Sequence, residues 1–252
     1  MPSFNINDHL VYGAQVGTGV PAIILVHGAG ADHTLWGLQL AALKTKFTVV
    51  ALDLNGHGRS PVRPGEGLAP YLQDVLAVAD ALDKPFVVVG HSMGGALALQ
   101  VGLKNPKGLV GIGVTNAGAR LRVLPALLAL LEADFEGAVD FLLGLMFHRS
   151  LPLALQKSRA QMLQAGQAVV LKDFQACDRF DVIGRLEEVQ VPAWVCVGRQ
   201  DQLTPLDYAT YLTQHLRRAT LHVIDDAGHM PMVEQAPAFN ETLLDFLDHL
   251  VS

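Results

Sequence analysis

Short, unbroken apolar runs alternate along this chain with longer stretches whose apolar residues recur at helical spacing. The run 21–26 stops at His27-Gly28, 47–52 at Asp53, and 86–89 at Gly90. The segments 109–115, 193–197 (ending at Gly198) and 221–224 are three more of the kind. Such continuous runs read as strands buried on both faces of a parallel sheet. Residues 9–16 alternate weakly and read as an earlier strand. Helices are expected over 34–45, 68–83, 93–105, 205–217 and 233–250. Asn105-Pro106 stops one of them, because the proline ring opposes the helical conformation of the residue before it. The alternation predicts an α/β fold, a mostly parallel sheet with helices on both faces. Ligands on such sheets sit at the carboxyl ends of the strands.

The stretch 117–187 breaks this rhythm. It holds no strand-like run, and Leu124, Leu127, Leu128 and Leu131 follow i, i+3, i+4, i+7 spacing. Seventy-odd residues is long for one crossover, so a helical cap over 117–187 is expected, inserted into a core of 1–116 and 188–252. Ordinary crossover helices are the plainer alternative. Residues 121–147 also carry nine leucines together with Phe135, Phe141, Met146 and Phe147. A surface helix needs one apolar stripe. The wider spread predicts a second apolar contact, with Leu142 and Met146 as candidates to line a substrate pocket. Core packing or a subunit interface would account for it otherwise.

Composition narrows the classes. Half of the 252 residues are apolar and 17% are charged, against a usual charged share of about 25%, so the chain is not disordered. A net charge of −6 argues against a nucleic-acid partner. The mean hydropathy of +0.31 raises the membrane question. No uncharged apolar stretch reaches the ~18 residues that a spanning helix needs. Cys177 and Cys196 lack disulfide or metal spacing and read as small buried hydrophobes. The first residues have neither a basic start nor an apolar run, unlike a signal peptide. A soluble, cytoplasmic protein is expected, as monomer or homodimer.

Gly90-His91-Ser92-Met93-Gly94 follows a strand and opens a helix. This G-x-S-x-G pattern suits a sharp turn that pushes a serine outward as a nucleophile. A tight turn with an idle serine is the bland reading. A serine needs an adjacent base, and histidine is the usual one. Among ten histidines, His229 in Asp226-Ala-Gly-His-Met follows the last strand. His9, His33, His148, His215, His222 and His249 read as surface residues, and His91 should turn away from the serine. A carboxylate must hold the base's tautomer. Asp201, after the fifth buried run, is the candidate, and Asp225 and Asp226 are alternatives that would rather shape their own turn. An oxyanion needs donors. The amides of Met93 and Ala29 are assigned to it.

Taken in order, His27-Gly28, the segment from Asp53 to Ser60, the serine elbow, Gly198-x-x-Asp201-x-x-x-Pro205 and Gly228-His229 resemble the α/β-hydrolase superfamily along nearly the whole chain. The resemblance implies an eight-stranded, mostly parallel sheet with a cap between strands six and seven. It also implies no catalytic part for Asp53, His57 or Arg59. Ser92 stands where epoxide hydrolases and dehalogenases place an aspartate, and the cap has no Tyr or Trp. The expected activity is a serine carboxylesterase on small to medium acyl esters or lactones, with no cofactor and no metal. The partner is then a small ester with an apolar part. A serine-dependent C–C hydrolase of a vinylogous diketone and a non-catalytic binder are the alternatives.

Overall fold

The computed structural model describes residues 3–6 and 9–251. One eight-stranded sheet runs in the order β1-β2-β4-β3-β5-β6-β7-β8. The strands are β1 (Ser3–Ile6), β2 (His9–Val16), β3 (Ala22–Val26), β4 (Thr48–Asp53), β5 (Phe86–His91), β6 (Leu109–Thr115), β7 (Ala193–Gly198) and β8 (Ala219–Ile224). β1 pairs antiparallel with β2, and β2 with β4; every other pairing is parallel. The six apolar runs and the early strand fall where the apolar pattern puts them, but the last, β8, is an edge strand and only half-buried, not covered on both faces. β1 escapes that pattern because four residues carry too little periodicity.

Each central strand is buried on both faces, and its side chains alternate between them. Ile24, Val26, Val50, Leu52 and Val88 join one core cluster. Their chain neighbours Ile23, Leu25, Val49, Ala51, Val87 and Val89 join the other. The first cluster packs against α2 (Ala69–Leu82), α3 (Met93–Lys104) and, further along, α8 (Leu206–His215). The second packs against α1 (Gly37–Leu43) and α10 (Ala236–Val251). The predicted helix at 34–45 opens as a 3-10 turn, His33–Trp36. That at 233–250 is divided into a short α9 (Pro231–Glu234) and α10. Asn105 ends α3 in the left-handed conformation, directly before Pro106.

Between β6 and β7 lie α4 (Pro125–Ala133), α5 (Phe135–Met146), α6 (Pro152–Ala165) and α7 (Gln167–Arg179). They share a small cluster of their own around Leu131, Ala138 and Val170. Pro125 and Pro152 stand in the first turns of α4 and α6, where a missing N–H costs nothing.

The strand order fixes where a ligand can sit. From β3 the chain moves outward to β4, whereas from β5 it moves the other way to β6. The loops leaving β3 and β5 therefore part, and a crevice opens between their carboxyl ends. α3 reaches that crevice only by approaching the sheet very closely. A Cβ on Gly94 would lie 2.2 Å from the Val26 carbonyl oxygen, and one on Gly90 would lie 1.9 Å from that of Gly94.

These contacts predict opposite outcomes for two glycine substitutions in helices. Gly94→Ala drives a methyl into backbone and should abolish soluble expression or remove several kcal/mol of stability, on the order of the larger core penalties. Gly144→Ala, on α5 with nothing within 4 Å, should stabilise by ~0.5–1 kcal/mol. Urea unfolding of the two variants checks both.

Candidate active site

Ser92 sits between β5 and α3 with φ 54° and ψ −116°. A non-glycine residue held there stores ~1–3 kcal/mol of strain. The turn is secured from both sides. The Ser92 N–H donates to the Thr115 carbonyl of β6 (2.9 Å), and the Ser92 carbonyl accepts from Gly95 (2.8 Å). The side chain is left at the crevice, partly exposed, at the amino end of α3.

His229 follows β8 in a buried turn, and its Nδ1 lies 2.9 Å from Asp201 Oδ2. The Asp201 carboxylate accepts from four further donors. Leu203 N–H (2.8 Å) and Thr204 N–H (3.2 Å) reach Oδ1, while the Thr204 hydroxyl (2.7 Å) and Asn116 Nδ2 (2.6 Å) reach Oδ2. Burial alone would raise the Asp201 pKa. The charge and hydrogen bond of His229, with Asn116 and Thr204, outweigh it and hold the carboxyl far below the usual carboxylate range. An ionised carboxylate only accepts. His229 therefore carries its proton on Nδ1 and leaves the Nε2 lone pair free to take one. Ser92 and His229 line the same cavity, with no hydrogen bond between them among the described residues. Asp225, the alternative carboxylate, is exposed and paired with Arg199. Asp226 takes a positive φ in the turn itself.

The loop after β3 faces the serine. A Cβ on Gly28 would stand 3.1 Å from the Ser92 Cβ, a tight contact that shows how closely the loop approaches the serine. A Gly28 O to Ala31 N–H bond closes the turn (3.3 Å). The Ala29 amide has no acceptor among the described residues, and the Met93 amide, first in α3, has none within its helix. Both are free to donate.

Three buried histidines brace these loops, and sequence reading foresaw no such role. His27 donates from Nδ1 to the Gly28 carbonyl (2.8 Å) and accepts at Nε2 from Leu54 N–H (3.1 Å). Burial, with the neighbouring His57 charge, lowers its pKa to about 4. His91 donates from Nε2 to the His229 carbonyl (2.8 Å), its ring 4.7 Å from that of His229. Burial first, and then His229, lowers it to about 3. His33 corrects the surface assignment. It is buried, with Nδ1 2.7 Å from Asp53 Oδ1, because the 3-10 turn folds it beneath the end of β4. His148 and His249 are exposed, and His215 and His222 are half-buried. The side chain of His9 lies outside the described residues.

Asp32, His33 and Asp53 are the one cluster among the described residues whose ligand atoms lie within 4.8 Å of one another. Asp53 already accepts from the His33 and Arg59 amides and the His33 ring, and Asp32 from Thr34 and Gln161. The cluster is a hydrogen-bonded turn. Cys177 and Cys196 are free and buried, and burial pushes both thiols up.

The cavity at Ser92 has a volume of about 480 Å³. Leu142 and Met146 of α5 line it, with Leu35, Leu121, Leu127, Phe141, Met162 and Phe174. Leu124 and Phe141 are 70% and 50% exposed at its rim. The Met146 carbonyl accepts from the His229 amide (2.8 Å), and Glu234 accepts from Gly228, His148 and Arg149 amides (2.8–2.9 Å). Asn116, Thr204 and Glu234 gave no sequence signal beyond lying near strand or turn ends.

A family model described as the alpha/beta hydrolase family matches residues 23–242. The chain belongs to the alpha/beta hydrolase family. A thermophilic esterase of known structure superposes with a TM-score of 0.90 at 33% identity, covering 99% of this chain and 97% of that one. A protein of Variovorax paradoxus, named provisionally as the carbamate hydrolase RutD, is 31% identical over 90% of this chain and 91% of its own. The 3-oxoadipate enol-lactonase 1 of Acinetobacter baylyi is 28% identical over 90% and 88%.

The buried histidines set an acid limit. His27 and His91 are held neutral, with folded pKa values of about 4 and 3, against about 6.5 when unfolded. Below pH ~6.5 the unfolded chain binds more protons, so stability falls with pH until the folded values are reached. Urea unfolding between pH 7 and 4 should show this slope, and His91→Gln should make it shallower by about one proton.

Proposed function

We propose that this protein is a serine hydrolase of carboxylic esters, including lactones, acting through Ser92, His229 and Asp201. The observation that carries the reading is the His229–Asp201 pair, 2.9 Å apart and braced by four more donors, opening on the same cavity as a serine held at positive φ. The esterase and enol-lactonase names of the relatives point the same way.

His229 Nε2 removes the hydroxyl proton as Ser92 Oγ attacks the ester carbonyl. Asp201 stabilises the imidazolium that forms. The Ala29 and Met93 amides hold the oxyanion, and the dipole of α3 adds to the second. As the tetrahedral intermediate collapses, the C–O bond breaks and the alcohol leaves with the proton from His229. Water, deprotonated at the same Nε2, then attacks the acyl-enzyme, and Ser92 leaves with the returned proton. In a lactone the alcohol stays tethered to the acyl group, and the steps are otherwise the same. Helices α4–α7 act as the cap, and Leu142 and Met146 face the apolar part of the substrate. The protein is assigned to the cytoplasm, acting on small molecules.

A fluorophosphonate should label Ser92, as read by mass spectrometry of the tryptic peptide, and Ser92→Ala should abolish both labelling and turnover. Label on another residue, or turnover by Ser92→Ala, rules the reading out. Asp201→Asn should lower kcat by ~10³–10⁴-fold, because the amide presents a donor to Nδ1 and reverses the tautomer. Met146→Ala should move the preference among p-nitrophenyl esters toward longer acyl chains, seen as a shift in kcat/KM along the series.

A further inference from the structure

Asp173 lies on α7, far from Ser92 in sequence and wholly buried. Its carboxylate gathers three donors from three separate parts of the chain. Oδ2 accepts from the Gly30 amide (2.9 Å) and lies 2.8 Å from His57 Nε2. Oδ1 accepts from the Tyr71 hydroxyl (2.5 Å). Gly30 directly follows Ala29, takes φ 66°, and has no room for a Cβ, which would meet Met162 at 2.9 Å. The loop is thus pressed under α6 and α7 and tied there by one buried charge. His57 donates from Nδ1 to the Asn55 carbonyl (3.1 Å). Burial pushes its imidazole pKa down, but the Asp173 charge and hydrogen bond outweigh this and raise it.

We infer that Asp173 is a positioning residue for the oxyanion loop: by holding the Gly30 amide it sets the Ala29–Gly30 peptide and aims the Ala29 amide at the reacting carbonyl. The inference rests on the esterase reading above. It gives the inserted helices a part in catalysis separate from lining the pocket. A charge-assisted bond inside a dry site is strong and geometrically strict, so the loop waits in one conformation. Oxyanion donors act only when preorganised.

An asparagine at 173 cannot serve all three donors. Turned with its NH₂ toward His57, it suits a neutral His57 that keeps Nδ1–H on Asn55, and it leaves the Gly30 N–H opposite another N–H. Turned the other way, it sets the unprotonated Nδ1 of a neutral His57 against the Asn55 carbonyl. Tyr71→Phe is the control, because it removes one donor from the same carboxylate and leaves Gly30 alone. The test compares kcat, KM and the thermal midpoint for p-nitrophenyl acetate. Asp173→Asn should lower kcat by ~10- to 100-fold with KM changed by no more than about threefold. Tyr71→Phe should lose thermal stability and keep kcat within about threefold. An Asp173→Asn enzyme that folds and keeps its kcat, or a parallel loss of kcat in both variants, overturns the inference. Should Asp173→Asn not fold, amide exchange in the wild-type protein decides. The Gly30 amide should be strongly protected, and exchange as fast as that of exposed loop amides would overturn the inference. Turnover by Ser92→Ala would refute the esterase reading itself, whereas an inactive Ser92→Ala beside a fully active Asp173→Asn refutes only the part given to Asp173.

Discussion

The approach of α3 to the sheet is the constraint on which the rest depends. Gly94 touches the backbone of β3, Gly90 touches Gly94, and neither position has space for a methyl group. Only at this separation does the chain turn tightly enough to leave Ser92 at φ 54° and lift its side chain into the crevice. The same closeness brings the Gly28 loop to the serine and the helix's free amide to the place where an oxyanion would form. Strain at one residue is sustained because β5, β6 and α3 fix the turn from several directions.

Around that turn the interior sorts its ionisable groups by partner. His27 and His91 have only backbone carbonyls and amides to bind, so burial keeps them neutral, and each becomes a fixed strut between loops. Asp201 and Asp173 are buried too, yet each gathers several donors, and those around Asp201 hold it ionised. An unpaired charge at such depth would cost far more than either arrangement. Carboxylates and imidazoles so arranged hold geometry as well as charge, and this gives a site built from five separate loops a single shape.

Much of this was legible in the residues. The continuous apolar runs place six parallel strands, and the order Ser92, Asp201, His229 follows from where those runs end. The 117–187 block announces itself by lacking any strand pattern. What stayed hidden has a common cause. Asp173 and Glu234 belong to no motif, and His33 reads as an ordinary surface histidine. Each bonds to a partner between 20 and 143 residues away, and local pattern says nothing about such distances. β1 escapes for the opposite reason, being too short to carry a pattern at all.

The inserted helices meet the rest of the chain at the turn bearing His229. The Met146 carbonyl holds the His229 amide, and the amides of His148 and Arg149 close on Glu234, which also takes that of Gly228. A Cβ on Gly228 would fall 2.8 Å from the His148 nitrogen. The turn and the end of α5 are therefore one interlocked joint. In recombination among relatives, the block that can be exchanged as a unit is not the insertion alone. It is the insertion with the segment 228–234, and a crossover placed between them would join two halves of a joint that were never fitted to each other.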